Sequence, residues 1–248
     1  PMMSYAQLAL QSPEDAELVE RALHKAVDGT EKAARIAGSV LGFVRGDQGE
    51  SRVEVAEAVA DALSCLARDP EKDGIEITVE VPEDLTARMP AISLQQVLLN
   101  LILNSRQAIR PHAGTIRISA ACSTWNTDDQ SAWEQQQGSL LQQPPPSEPE
   151  VDIFGQVAEP PPMVMMAAPA VGSPVVRITV EDSGCGIDPD NLELIFRPYV
   201  SERADRTVGT GLGLPICRQL ISQAAGTITA SSVAGQGSTF EVVVPLAD

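Results

Sequence analysis

The sequence has 248 residues, 43% of them hydrophobic, with 17 Lys and Arg against 34 Asp and Glu, a formal charge of −17. That length holds one large domain, or one domain with a helical arm. The sign of the charge excludes a general binder of nucleic acid or of an anionic membrane, since either needs a basic face.

Residues 2–11 read as the end of a helix. Residues 14–45 read as a longer one, with apolar positions from Leu18 to Val44 recurring at threes and fours. Pro13, Glu14 and Asp15 suit its start and Gly46 its stop. The two predict an antiparallel hairpin over 1–46 whose first arm is cut short. From about 51 the pattern becomes mixed. A helix is expected near 56–68, strands near 75–81 and 85–89, and a strongly apolar helix at 93–109. TIRISA (115–120) and VVRITVED (175–182) alternate as strands do. A helix near 213–225 leads to TITASSV and TFEVVVPL, a closing hairpin.

The acidity is uneven. Residues 124–173 carry seven acids and no Lys or Arg, and nine of the 19 prolines fall between 144 and 174. This composition predicts a disordered insertion in a β-hairpin at 124–173. The aromatic content of 3% argues against stacking platforms for single strands. No apolar run approaches a membrane-spanning length and no signal peptide is visible, which predicts a soluble, cytoplasmic chain. Four scattered cysteines without a C-x-x-C pair fit reduced thiols there. His24 and His112 are too few for a His-rich metal site, and no G-x-S-x-G elbow accompanies them.

Four local features carry chemistry. In LLNLILNSRQAI (98–109), Asn100 and Asn104 are four apart and share one helix face; an amide oxygen there can serve Mg²⁺ as a neutral ligand. In VEDSGCGI (180–187) a strand runs into Asp182, which can accept a hydrogen bond from an exocyclic amine. Gly184 and Gly186 allow close backbone approach beside it. IFRPYVSERADRTV (195–208) is a charged segment able to close over phosphates, with Arg203 or Arg206 reaching them. GTGLGL (209–214) opens a helix whose first N–H groups can face an anion. It neither follows a strand in a βαβ unit nor precedes a ribose-binding acid, and no G-x-x-x-x-G-K-[ST] loop exists, so neither a Rossmann nor a P-loop site is supported.

In order and spacing these four features closely resemble the ATP-binding domain of sensor histidine kinases. That family belongs to the superfamily shared with gyrase, the ninety-kilodalton heat-shock chaperone and the mismatch-repair ATPase. The N box is NLILNSRQA, the glycine boxes DSGCGI and GTGLGL, the F box IFRPY. The resemblance covers about 51–123 and 174–248, with GQGSTFEVVVPL (235–246) as the closing hairpin. It implies an α+β fold for 51–248: a two-layer sandwich of Bergerat type, its mixed sheet covered on one face by helices and preceded by the helical hairpin. It also implies ATP and Mg²⁺ as ligands. Asn104 would hold the metal, and Asn100 the phosphate or the metal's waters. Asp182 would read the adenine amine in a pocket shaped by Gly184, Gly186 and Ile187. Gly209, Thr210, Gly211, Leu212, Gly213 and Leu214 would hold the phosphates, Arg203 stands where a lid Lys often lies, and Thr239 would lie near the adenine-side strand. The lid departs from the family pattern, reading P-Y-V-S-E-R.

Hydrolytic members of the superfamily place a Glu four residues before the metal-binding Asn. Here that position is Asn100, which cannot act as a general base, so catalysis would be positioning and charge neutralisation for phosphoryl transfer to a protein. In the family the acceptor His lies on the first hairpin helix, and Pro1 stands where the proline after it would. The acceptor is therefore expected upstream of this chain, with transfer onward to a response-regulator receiver domain. A homodimer is expected in the full-length parent, and a membrane only through an upstream segment. His24, flanked by Leu23 and Lys25, reads as a solvated or interhelical histidine. Two alternatives are a Ser/Thr kinase of anti-sigma-factor type on the same fold, against which the hairpin counts, and a non-catalytic phosphotransfer or scaffold module, against which the intact boxes count.

Overall fold

The computed structural model describes residues 52–66, 69–109, 111–141, 167–197 and 213–247, with Asp15, Leu18, Val19 and Ala22 before them. The chain divides into two compact units, Pro1–Asp47 and Gln48–Asp248. In the first, the Leu18 N–H donates to the Asp15 carboxylate at 3.0 Å and the Val19 N–H to the Asp15 carbonyl, and Leu18, Val19 and Ala22 are helical. An acid side chain caps the helix where the sequence placed its start. The rest of the helix expected at 14–45, His24 included, and the helix expected at 2–11 lie outside the described residues.

The second unit is a sheet with helices. A two-residue strand β1 (Val53–Glu54) pairs antiparallel with β3 (Thr86–Ala87) and leads into helix α1 (Val55–Ser64). The main sheet contains β2 (Ile75–Glu80), β4 (Gly114–Thr124), β5 (Pro174–Asp182), β6 (Thr227–Val233) and β7 (Gly237–Pro245). Its order is β2-β4-β5-β7-β6; β2 runs parallel to β4 and every other pair is antiparallel. Helices α2 (Ala91–Ile109) and α4 (Gly213–Gln223) pack with α1 over one face.

The alternation read in the strands is the alternation seen. Val176, Ile178, Val180 and Asp182 of β5 are buried toward α2, as are Phe240, Val242 and Val244 of β7. Helix α2 brings Leu94, Val97, Leu98, Leu101 and Ile102 to the same core. Seven-residue spacings such as Leu94 to Leu101 keep this stripe on one side of the helix. The mixed α+β sandwich inferred from the sequence is therefore present.

Disorder across all of 124–173 is not what the structure shows. Strands β4 and β5 stay paired to Thr124 and Pro174, and the Trp125 N–H and carbonyl continue the seam to Ser173 and Gly172. Helix α3 (Thr127–Leu141) follows. Asn126 accepts from the N–H groups of Asp128 and Asp129 at 2.8 and 2.9 Å, while Asp129 accepts from the Asn126 N–H at 2.9 Å. This reciprocal cap satisfies backbone donors at a helix start. Residues 142–166 lie outside the described residues.

Helix coverage of a single face is likewise incomplete as a description. Val175 and Val243 project to the face opposite the main core, where they are buried with Trp125 against Trp133 and Ala168. Arg177 on that face donates to both Asp129 oxygens, at 3.1 and 2.9 Å, and pairs with Glu241. The start of the insertion thus adds a partial third layer.

Candidate functional site

The site is built where the C-terminal half of α2 meets the end of β5. Asp182 is buried, 8% exposed. Its carboxylate accepts from the Ser105 hydroxyl at 3.2 Å and the Gly184 N–H at 2.9 Å. Burial pushes this carboxyl above its usual range, while the bonds from Gly184, Ser105 and the Ser238 backbone pull the other way. An ionised carboxylate has about four acceptor positions, so these donors leave room for one more. A buried acid held with spare acceptor capacity fits the amine of a purine.

The loop after Asp182 is fitted to α2. A side chain at Gly184 would bring its Cβ to 2.6 Å from the Ala108 Cβ and 2.7 Å from the Ala108 carbonyl carbon. The Cys185 N–H donates to the Ala108 carbonyl at 3.0 Å. Gly186 has φ +71° and lies against the Val233 carbonyl, a backbone conformation that disfavours any other residue. The Ile187 N–H donates to the Ser232 hydroxyl at 2.8 Å, and that hydroxyl donates to the Gly237 carbonyl and lies 3.2 Å from the Ser238 oxygen.

Asn100 and Asn104 divide their surroundings. Asn100 is 3% exposed, and its amide donates to the Gly213 carbonyl at 3.4 Å and the Cys217 sulfur at 3.6 Å. Its oxygen accepts from Gln96 at 3.5 Å. Asn100 therefore ties α2 to the first turn of α4. Asn104, one turn on, is half-buried and stands beside Ser105. Leu214 and Ile187 are half-buried and pack against the main core.

Arg203, Gly209, Thr210, Gly211 and Leu212 lie outside the described residues, as do Tyr199 and Arg206 of the expected lid. Thr239 requires a correction by one position. Successive residues of a strand face opposite ways, and on β7 it is Ser238 that shares the face of Asp182, opposite it in register, while Thr239 pairs with Glu181 on the other face. Ser105 also escaped the sequence reading. Its signal was a polar residue at a buried stripe position, between Leu101 and Ile109.

Two further side chains brace the site. Arg106 donates through Nε and Nη2 to Asp73, both nearly buried, pinning α2 to the turn before β2. Arg218 of α4 lies 4.3 Å over the Phe196 ring; burial pushes its guanidinium down from the usual value and Glu193 works against that.

A five-stranded mixed sheet thus lies under helices, and a buried strand-end acid meets an asparagine-bearing helix. Residues 164–248 match the family model of histidine kinase-, DNA gyrase B-, and HSP90-like ATPases. The chain is similar to the sensor histidine kinase ZraS of Salmonella typhimurium, 43% identical over 83 residues, which is 34% of this chain and 17% of that protein. It is similar to ZraS of Klebsiella oxytoca at 26% identity over 240 residues, 96% of this chain and 40% of the relative. It thus spans less than half of these relatives' own length. In fold it is similar to full-length ShkA solved in complex with AMPPNP, with a TM-score of 0.57 at 21% identity, covering 94% of this chain and 39% of that one.

Proposed function

We propose that this chain is the ATP-binding catalytic region of a protein histidine kinase in a two-component system. It takes the γ-phosphoryl group of ATP to a histidine outside this sequence, for relay to an aspartate of a response-regulator receiver domain. The observation that carries this reading is Asp182, buried at the end of β5 and held by Ser105 of α2. It supplies an acceptor for the adenine amine from β5, braced by the same helix that presents Asn104.

In this reading Asn104 offers a neutral oxygen to Mg²⁺, which neutralises phosphate charge when bound. Asn100 holds α4 so that the glycine box ahead of it meets the phosphates. Gly184, Gly186 and Ile187 line the base pocket, with Ser238 rather than Thr239 on the face of Asp182. Gly209 to Leu214 cradle the phosphates and Arg203 approaches them from the lid. The absence of a Glu at position 100 withholds a general base from water, which favours transfer to a protein over hydrolysis. The parent protein acts as a homodimer in the cytoplasm. Among the described residues no helix is long and apolar enough to cross a membrane.

Calorimetry with Mg²⁺-ATP, followed by incubation of γ-labelled ATP with a histidine-bearing hairpin supplied in trans, tests the proposal. Saturable binding and acid-labile label on the hairpin are expected. Rapid release of labelled phosphate without transfer would overturn it.

A further inference from the structure

Helix α3 comes from a segment whose composition promised no fixed structure, yet it reaches α4 and Glu193, just ahead of the F box. Gln136 is 2% exposed and its amide is fully engaged. Its nitrogen donates to the Ser222 hydroxyl and, at 3.3 Å, to the Gly226 carbonyl; its oxygen accepts from the Ile228 N–H at 3.2 Å. Gly226 and Ile228 flank the start of β6, one of the two edge strands of the sheet. One amide therefore serves where a neighbouring strand would bond, and it joins that edge to the last turn of α4. One turn along α3, the Ser139 hydroxyl accepts from Arg218 at 3.4 Å, the same Arg218 that covers Phe196. Gln135 donates to Glu193 at 2.6 Å. In chain order these partners stand on both sides of 198–212.

We propose that α3 is a positioning element of the nucleotide site, with Gln136 as its principal residue: it fixes the seat of α4 and so tunes affinity for the phosphate part of the nucleotide. This rests on the ATP reading above. Helix α4 is held at its first turn by Asn100 and at its last by Gln136, with Cys217 and Ile221 buried between them, so release of the far end lets the helix pivot about its buried middle and shifts its first turn. The base side is touched only at one remove, through β6, because among the described residues α3 makes no hydrogen bond to Asp182, Ser105, Gly184 or Ile187. The anchorage of α3 itself is independent. Its cap at Asn126 and its Asp129–Arg177 pair lie at the start of the helix, away from Gln136.

The test compares affinities of the full chain for Mg²⁺-ATP and for adenosine by calorimetry. Gln136→Ala is expected to weaken Mg²⁺-ATP about tenfold and adenosine less than about twofold, the loss of a few neutral hydrogen bonds acting through α4. Gln135→Ala, at an exposed position, is expected to shift the ratio in the same direction by about threefold, and it decides the matter if Gln136→Ala does not fold. Val175→Ala loosens the second face and lowers the melting temperature, and is expected to leave the ratio unchanged. Equal weakening of both ligands, or no change in either glutamine variant, would overturn the proposal while leaving the ATP reading intact. A wild-type chain that bound neither ligand would sink both.

Discussion

Asp182→Asn separates recognition from stability, because the two should move in opposite directions. The substitution is isosteric. The Gly184 N–H keeps a carbonyl acceptor, and the Ser105 hydroxyl, 3.2 Å away, rotates to accept from the new amide. What disappears is the negative charge facing the bound base. A hydrogen bond to a charged group contributes about 1.5–3 kcal/mol, so Mg²⁺-ATP should bind roughly 10- to 150-fold more weakly. Stability behaves differently. Burial raises the folded carboxyl's pKa, so the folded state holds the proton more tightly than the unfolded one. That stabilisation is fully present below the ordinary Asp range and is lost as pH rises through the raised value. At neutral pH the wild type carries a desolvated charge that Asn does not. The variant should therefore melt at or above the wild-type temperature at neutral pH, with its advantage shrinking as pH falls. Calorimetric titration and thermal melts at neutral and acid pH measure both. Unchanged affinity would refute the role given to Asp182, and a lowered neutral-pH melting temperature would refute the burial argument.

Three more outcomes follow from the packing. Gly184→Ala forces a methyl against the Ala108 backbone and should cost about 1–3 kcal/mol, with weaker adenosine binding, by denaturant melts and calorimetry; wild-type stability would contradict it. Asp73→Ala leaves Arg106 charged, buried and short of its principal acceptor; a loss of about 3–5 kcal/mol is expected, largely recovered when Arg106→Met is added. In a thiol titration of the folded chain, exposed Cys65, Cys122 and Cys185 should react readily. Cys217 is buried, with its thiol pushed up to about 12, and should react only after unfolding; a fourth fast thiol would show that α4 is not seated on Asn100 as described.

How much of this was legible depended on how each residue earns its place. Helix α2 and strands β4, β5 and β7 bury a continuous apolar stripe, so period alone located them, and the strand-end Asp182 came with β5. Ser105 and Ser238 act through single hydrogen bonds and leave no periodic trace. Thr239 and Ser238 differ in facing because a strand's facing depends on a register that one residue inverts, and the sequence alone does not set it. Helix α3 was hidden for a different reason. It is polar nearly all round, so no moment announces it, and the prolines beyond residue 143 coloured the reading of the whole segment. Yet its N-x-x-D cap at Asn126 to Asp129 stood in plain view before a proline-free run. Such a helix persists because its neighbours satisfy it: Arg177 on one side, and the open edge of β6 on the other. The polar residues that made the segment look foreign to a core are the ones that dock it, which is why its composition misreported its structure and why Gln136 is the residue on which to test its purpose.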